Sequence, residues 1–412
     1  MAYRKFKADF LFTGYEMLDE NDVLITNDSG IIENIIPVGE AGDDIEILNG
    51  ILTPGFVNCH CHLELSHMKG LIPEKTGLVD FLLSVIRKRN FSSDLIQQSI
   101  NDAEKEMIGN GIVAVGDICN TTDTLSKKLQ RNLYYHNFIE TIGFPESVAE
   151  KRFEASCEIF KRFEREYSLP VGSNSIVPHA PYSVSEKLFG LTTSFPGNDV
   201  LTIHNQETED ENEFFLAGKG DITRLYQSLG VDISFFKPPG KRSLANYLHG
   251  FHKNQSLILV HNVATNEEDL KTANSWQLAV DFSGQESKTI NYKLQTPNLF
   301  FCLCPNANQY ISGKLPDIDL LIRYNCKIAI GTDSLASNHM LNILEELKTI
   351  QKSFRHIETK TLLRWATING AYALQLDDVL GSFEKRKQPG IVLIENAGNG
   401  KLTPESRARR II

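Results

Sequence analysis

His60 and His62 stand two residues apart in PGFVNCHCHLELSH, residues 54–67. Side chains alternate along a β-strand, so both imidazoles project to one side if the strand runs through them, with Cys59 and Cys61 on the other. Two imidazoles at the end of an apolar strand are placed to chelate a metal, or they are ordinary polar residues where a strand leaves the core. Three other stretches repeat the combination of apolar run and polar tip: Ile203-His204-Asn205-Gln206-Glu207, Val260-His261-Asn262 and Gly331-Thr332-Asp333-Ser334. His60, His62 and His204 with the carboxylate of Asp333 and a water make a five-coordinate donor set for one divalent ion. Each residue alone is a satisfied polar group; the joint arrangement points to a metal site.

Such tips need strands to carry them. Short β-branched runs occur at 51–60, 112–118, 133–141, 171–179, 200–207, 257–263, 299–306 and 327–333. Between them lie stretches with helical apolar spacing, such as LVDFLLSVIRKR, AEKRFEASCEIFKRFEREY and SLANYLHGFHK. Strands alternating with helices predict an α/β fold with a parallel sheet. Eight strands are the number that closes a (β/α)8 TIM barrel, in which the C-terminal strand ends meet at one mouth; an open doubly wound sheet is the alternative. The chain ends read as hairpin-like β structure: ADFLFTG, DVLITNDSG, IIENIIPVGE and IEILNG before the first tip, and GIVLIENAGNGKLTPESRARRII at the other end. Neither end makes a core alone. The expected organisation is a small composite β-sandwich from residues 1–54 and 376–412, with the barrel at 55–375.

The bulk properties narrow the partners. A net charge of −10 with no basic block argues against a nucleic-acid partner. No apolar run reaches membrane-spanning length, and MAYRKFKADFLFTG has no apolar segment long enough for a secretory signal. Seven irregularly spaced cysteines suggest no disulfide framework. The expectation is a cytoplasmic protein acting on a small molecule, with no membrane partner and a homodimer admitted.

The ordered set PGFVNCHCH, SIVPHAPYS, HNQET, LVHN, CPNAN and GTDSLASN, with LLRWATINGAYAL and LGSFEKRKQPGIVLI near the end, resembles the amidohydrolase superfamily in its branch of metal-dependent aminohydrolases. The resemblance implies that His60, His62, His204 and Asp333 bind metal and that Asp333 accepts a proton. It makes His261 the histidine that holds or polarises the attacking water. It also makes Glu207 the proton shuttle to the ring nitrogen beside an amine-bearing carbon; a first-turn helix glutamate is the plainer reading of Glu207. Binuclear members carry a bridging lysine on strand four, and VGSNSIVPH has none. One divalent ion is therefore expected, zinc by preference and iron as the alternative.

The HCHLELSH and GTDSLASN stretches are similar to those of deaminases of purine nucleosides with modified ribose: the aminofutalosine, adenosine and S-adenosylhomocysteine types. The activity implied is hydrolytic deamination of such a nucleoside with release of ammonia. The alternatives are hydrolysis of another leaving group from an N-heterocycle (triazine-type dechlorination or opening of a cyclic amide) and, remotely, an inactive scaffold. Candidate substrate contacts are Glu64, as a grip on hydroxyls or part of a solvated loop, and His179, as a substrate contact or a structural hydrogen bond. Asn306, with Asn308, is a candidate for the floor of the site. Ser334 and Asn338 are expected to cap the helix near LNILEEL. ISFFKPPGKRS, residues 233–243, is a candidate cover for a bulky group.

Overall fold

The computed structural model describes residues 3–167, 173–278 and 298–412. Strands β1 (Tyr3–Phe12), β2 (Met17–Leu18), β3 (Asp22–Asn27), β4 (Ile32–Pro37) and β5 (Ile45–Pro54) come from the N-terminal end. Then follow β6 (Phe56–Cys61), β7 (Ile112–Cys119), β8 (Tyr134–Thr141) and β9 (Asn174–Pro178). Next are β10 (Val200–Asn205), β11 (Ser256–His261), β12 (Asn298–Leu303) and β13 (Lys327–Ile330). β14 (Ile391–Glu395) and β15 (Arg407–Arg410) complete the chain.

β6 to β13 correspond to the eight predicted strands, and helices separate them. Residues 171 and 172 of the fourth predicted strand lie outside the described residues. The strands pair in parallel as two four-stranded sheets, β6-β7-β8-β9 and β10-β11-β12-β13. Every residue of β7, β10 and β11 is buried. Helices cover the outer faces of such sheets, which is why these strands read as continuous apolar runs and not as alternating ones.

The two sheets touch at both edges. The amides of Thr332 and Asp333 donate to the carbonyl of His60 at 3.1 and 3.0 Å, and Cys61 bridges Asp333 in parallel. At the opposite edge the amide of His204 donates to the carbonyl of His179 at 2.9 Å. Behind the first seam the Asn58 amide donates to Thr332 Oγ1 at 2.7 Å and its carbonyl oxygen accepts the Thr332 N–H at 3.0 Å. The register of β6 on β7 slips between Asn58 and Cys61, so a bulge lies in the strand that carries the histidines.

The strands of the two chain ends lie in one sheet, and a sandwich of two sheets is not seen among the described residues. Their strands hydrogen-bond in one seven-stranded sheet, in the order β15-β14-β5-β1-β3-β4 with β2 also on β1. The reason is the reach of two ten-residue strands. β1 takes β5 along one edge and β3 and β2 at successive places on the other, and β5 goes on to pair with β14. The run 51–60, read as one strand, is two. Its first part completes β5 in the terminal sheet; Gly55 turns the chain, and β6 enters the parallel sheet. A Cβ on Gly55 would lie 2.2 Å from Val113 Cγ1 and 2.7 Å from the carbonyl oxygen of Pro389, so no larger residue fits.

Gly331 is the second such approach. A Cβ there would meet His60 Cβ at 2.9 Å and Cys302 Sγ at 3.0 Å. Gly331→Ala is therefore expected to destabilise the fold by about 1–3 kcal/mol in denaturant unfolding. Gly39→Ala, whose added methyl meets nothing within 4 Å, should change stability little.

Candidate functional site

The strand tips singled out by sequence converge. The His60 ring centroid lies 4.9 Å from His62, 4.8 Å from His204 and 5.7 Å from His261. Asp333 Oδ1 is 3.4 Å from His62 Nε2 and 3.7 Å from His60 Nε2. Glu207 Oε2 is 3.7 Å from His261 Nε2. Donor atoms of His60, His62 and Asp333 lie within 4.8 Å of one another, as do those of His60, His204 and His261, so His60 is common to both sets. Both ring nitrogens of His60 and Nε2 of His204 are buried with no hydrogen-bond partner. A buried polar atom left unpaired costs about 1–3 kcal/mol, and a divalent cation would remove that cost at one nitrogen of each ring. The donor set therefore fits such an ion.

The backbone is bent to aim these groups. Gln206, His261, Asn262 and Asp333 have positive φ of 47°, 75°, 60° and 56°. Non-glycine residues in this region each cost on the order of 1–3 kcal/mol and persist where the surroundings over-determine them. The surroundings here are specific. The Asn308 side-chain amide lies 2.9 Å from His261 Nδ1, and His261 Nε2 lies 3.0 Å from His204 Nδ1. Asn262 donates to the carbonyls of Leu259 and Cys302 at 2.9 and 3.2 Å. Ser337 Oγ donates to Asp333 Oδ2 at 2.7 Å.

Burial and neighbouring charges set the protonation states. Burial lowers His62 to about 3 and His179 to about 4, so both imidazoles are neutral. Burial also drives His261 well down. For His204 burial is outweighed by the Glu140 carboxylate, and its pKa rises. Burial opposes ionisation of Asp333, but His60, His62 and His261 prevail and hold its carboxyl well below the usual range. Glu207 goes the other way: burial, with the Asp333 carboxylate adding to it, pushes it up to about 8. Two carboxyls in one cavity thus differ in protonation at neutral pH.

The cavity at the strand tips is lined by His62, Glu64, His179, His204, Glu207, His261 and Asp333, with Arg89, Asn120, Glu140, Tyr182 and Ser334. Its apolar wall includes Leu65, Leu78, Phe81, Leu225 and Tyr226. Glu140, at the tip of β8, was not anticipated. Its Oε1 is 3.6 Å from His204 Nε2, and its donor oxygen groups with those of His179 and His204 within 4.8 Å. The signal was a lone carboxylate ending the apolar run FIE. Ser337 was likewise missed.

Some expectations need correction. Asn306 does not line the cavity. It sits in the first turn of the helix Pro305–Ser312, where its N–H donates to Glu346 and its Oδ1 accepts from Thr349. Asn308, two residues on, faces the site instead, because that helix turns about 100° per residue. The Glu64 carboxylate faces the cavity but is taken up. Oε2 accepts from the Asn120 amide, the Thr121 amide and Thr121 Oγ1, each at 3.1 Å, and Oε1 accepts from Arg89 at 3.2 Å. Asn342, not Ser334 or Asn338, caps the helix Ile343–Ser353. Ser334 lines the cavity, and Asn338 donates to Glu346 and to the Thr332 carbonyl. In the 233–243 segment Phe236 stacks on Phe214 at 4.3 Å, and no residue of it lines the cavity.

Residues 51–406 match the amidohydrolase family. The adenosine deaminase of Helicobacter pylori is 27% identical over 363 residues, covering 87% of this chain and 81% of that one. The crystal structure of H. pylori aminofutalosine deaminase in complex with methylthio-coformycin superposes with a TM-score of 0.80 at 22% identity, covering 99% of this chain and all of that one. An adenosine deaminase from Xanthomonas campestris with bound zinc gives a TM-score of 0.67 at 19% identity, with 95% and 84% covered.

Next to the site, Glu211 Oε2 accepts the N–H of the strained Gln206 at 3.1 Å, and burial pushes this carboxyl up to about 7. Below about pH 4.5 it is protonated in both folded and unfolded chains, so no proton-linked penalty exists there. As pH rises toward 7 the unfolded chain loses its proton first, and stability falls. Glu211→Gln should escape that fall. Its melting temperature relative to the native chain is expected to rise between pH 5 and pH 8, by the equivalent of up to about 3 kcal/mol.

Proposed function

The chain belongs to the amidohydrolase family, and from that premise we propose that it is a hydrolytic deaminase of adenosine-like nucleosides. The observation that carries the proposal is the meeting, at one cavity, of unpartnered His60 and His204 nitrogens with Asp333, whose carboxyl is held well below the usual range, and Glu207, whose carboxyl burial pushes up to about 8. We read the two parallel sheets, with their bonded seams, as one (β/α)8 barrel whose mouth is this cavity. Residues 1–54 and 376–412 are its composite β domain. Seven free thiols suit the reducing cytoplasm expected for it.

His60, His62, His204 and Asp333 would hold one divalent ion, zinc in preference to iron. Such an ion, when bound, supplies a water acidic enough to ionise near neutral pH. Asp333, fixed at Oδ2 by Ser337, would take the proton released when water adds to the amine-bearing carbon. Glu207 is protonated near pH 7 and gives its proton to the adjacent ring nitrogen, which keeps negative charge from accumulating on the ring. His261, braced at Nδ1 by Asn308, would exchange its Nε2 contact with His204 Nδ1 for the oxygen joining the ring. Asp333 then gives its proton to the departing amine, the proton of the added hydroxyl returns to Glu207, and ammonia leaves as the ring carbonyl forms. The apolar wall at Leu65, Phe81 and Leu225 excludes water from the ring faces.

Ammonia release from adenosine and its 5′-modified derivatives tests the function directly. No release from any of them, with chloride release from a chlorinated triazine instead, would overturn it. Glu207→Gln is expected to retain metal, measured by elemental analysis, while kcat falls about 10²–10⁴-fold. Unimpaired turnover would take Glu207 out of the chemistry. Chelation should abolish turnover and lower the melting temperature together, since the ion binds the folded chain only.

A further inference from the structure

Donor atoms of Glu140, His179 and His204 lie within 4.8 Å of one another, and this triad shares no residue with His60, His62 and Asp333. Its members stand on three consecutive strands: Glu140 in β8, His179 directly after β9 and His204 in β10. Backbone bonds fix their spacing, since the His179 amide donates to the Thr141 carbonyl at 3.1 Å and the His204 amide to the His179 carbonyl at 2.9 Å. Two of the side chains are also held from behind. Glu140 Oε2 accepts from Asn120 Nδ2 at 3.0 Å, which leaves Oε1 buried and without a hydrogen-bond partner. His179 Nδ1 lies 2.8 Å from Ser183 Oγ, and Ser183 gives its one hydroxyl proton to the Ala180 carbonyl at 3.0 Å. Nδ1 of His179 is therefore the donor, and Nε2 keeps its lone pair. Ligands oriented through their far atom in this way are how proteins fix a metal ion.

The separation within the triad points the same way. Glu140 Oε1 and His204 Nε2, both buried and unpartnered, are 3.6 Å apart, too far for a hydrogen bond. Zinc bonds to imidazole nitrogen and carboxylate oxygen are about 2.0–2.2 Å long, so one ion spans that gap at an angle of about 115°. A proton shared by the pair accounts for neither the gap nor the place of His179. We propose that Glu140, His179 and His204 bind a second divalent cation, separate from the ion at His60, His62 and Asp333. Two imidazoles with one carboxylate are a donor set that zinc takes in proteins, and the fourth position opens to the cavity that all three residues line. Binuclear members of the family join their ions through a strand-four lysine; here a glutamate and a histidine at the tips of two strands supply the second site instead. His204 is the point where the two sites compete, and the first ion keeps His60, His62 and Asp333 when His204 Nε2 serves the second.

The test is a count of bound zinc. The full chain is equilibrated by dialysis against zinc chloride, and its metal is measured by elemental analysis. The native chain is expected to take up one ion at equimolar zinc and a second in excess. Glu140→Gln and His179→Gln should stop at one. His356→Gln, at an exposed histidine–carboxylate pair, should leave the second ion in place. Uptake that stops at one in the native chain, a second ion that survives both Glu140→Gln and His179→Gln, or its loss in His356→Gln overturns the proposal. Zinc-soaked crystals of the native chain give a reading that needs no variant: an anomalous peak bonded to Glu140 Oε1, His179 Nε2 and His204 Nε2 is expected, and its absence overturns the site. Neither measurement reads ammonia release, so the second ion is decided independently of the deaminase reading.

Discussion

Two backbone hydrogen bonds, from the amides of Thr332 and Asp333 to the carbonyl of His60, join the last strand of one parallel sheet to the first strand of the other. Through them the carboxylate of Asp333 and the imidazole of His60 are set at a separation that neither side chain selects for itself. The positive φ of Asp333 is tolerable only because the amide before it and its own amide share one acceptor, with Asn58 holding Thr332 from behind. Everything at the site is referred to this seam. His62 continues from the same strand, His204 stands against the opposite seam, and His261 is locked to His204.

Burial then differentiates the groups so assembled. His62, His179 and His261, taken out of water, are pushed toward the neutral form that metal ligation asks of an imidazole, whereas Glu140 pushes His204 the other way. The same burial would neutralise both acids, but Asp333 lies among three imidazoles, whereas Glu207 lies where desolvation and the Asp333 charge reinforce each other. One desolvated cavity thus contains a proton acceptor and a proton donor of the same chemical type. Position decides the difference, not residue identity.

The sequence made the strands and their tips legible because parallel strands buried on both faces are long apolar runs, and a polar residue ending such a run stands out. His60, His62, His204, His261 and Asp333 were visible on that ground, and all five line or border one cavity. The side chains that orient them were less visible. Ser337 and Asn308 act from the turn after a strand and from a helix face, where a polar residue is unremarkable. Asn306 was misassigned because two asparagines two residues apart in CPNAN cannot be told apart without the phase of the helix. Glu64 carried the right residue type for a substrate grip, but its donors come from Asn120, Thr121 and Arg89, all distant in sequence. The terminal strands were foreseen and their layering was not, since strand length and edge sharing, not polarity, decide whether hairpins form one sheet or two.

Gly55 has a mechanical consequence. It is the only residue between the end of β5 in the terminal sheet and the start of β6, and His60 lies five residues further on. There is no slack in that splice: Val113 and Pro389 fill the space where a side chain on residue 55 would stand. The seven-stranded sheet is therefore more than an appendage to a catalytic body. It acts as the clamp at the root of a short cantilever, and the free end of that cantilever carries the histidines.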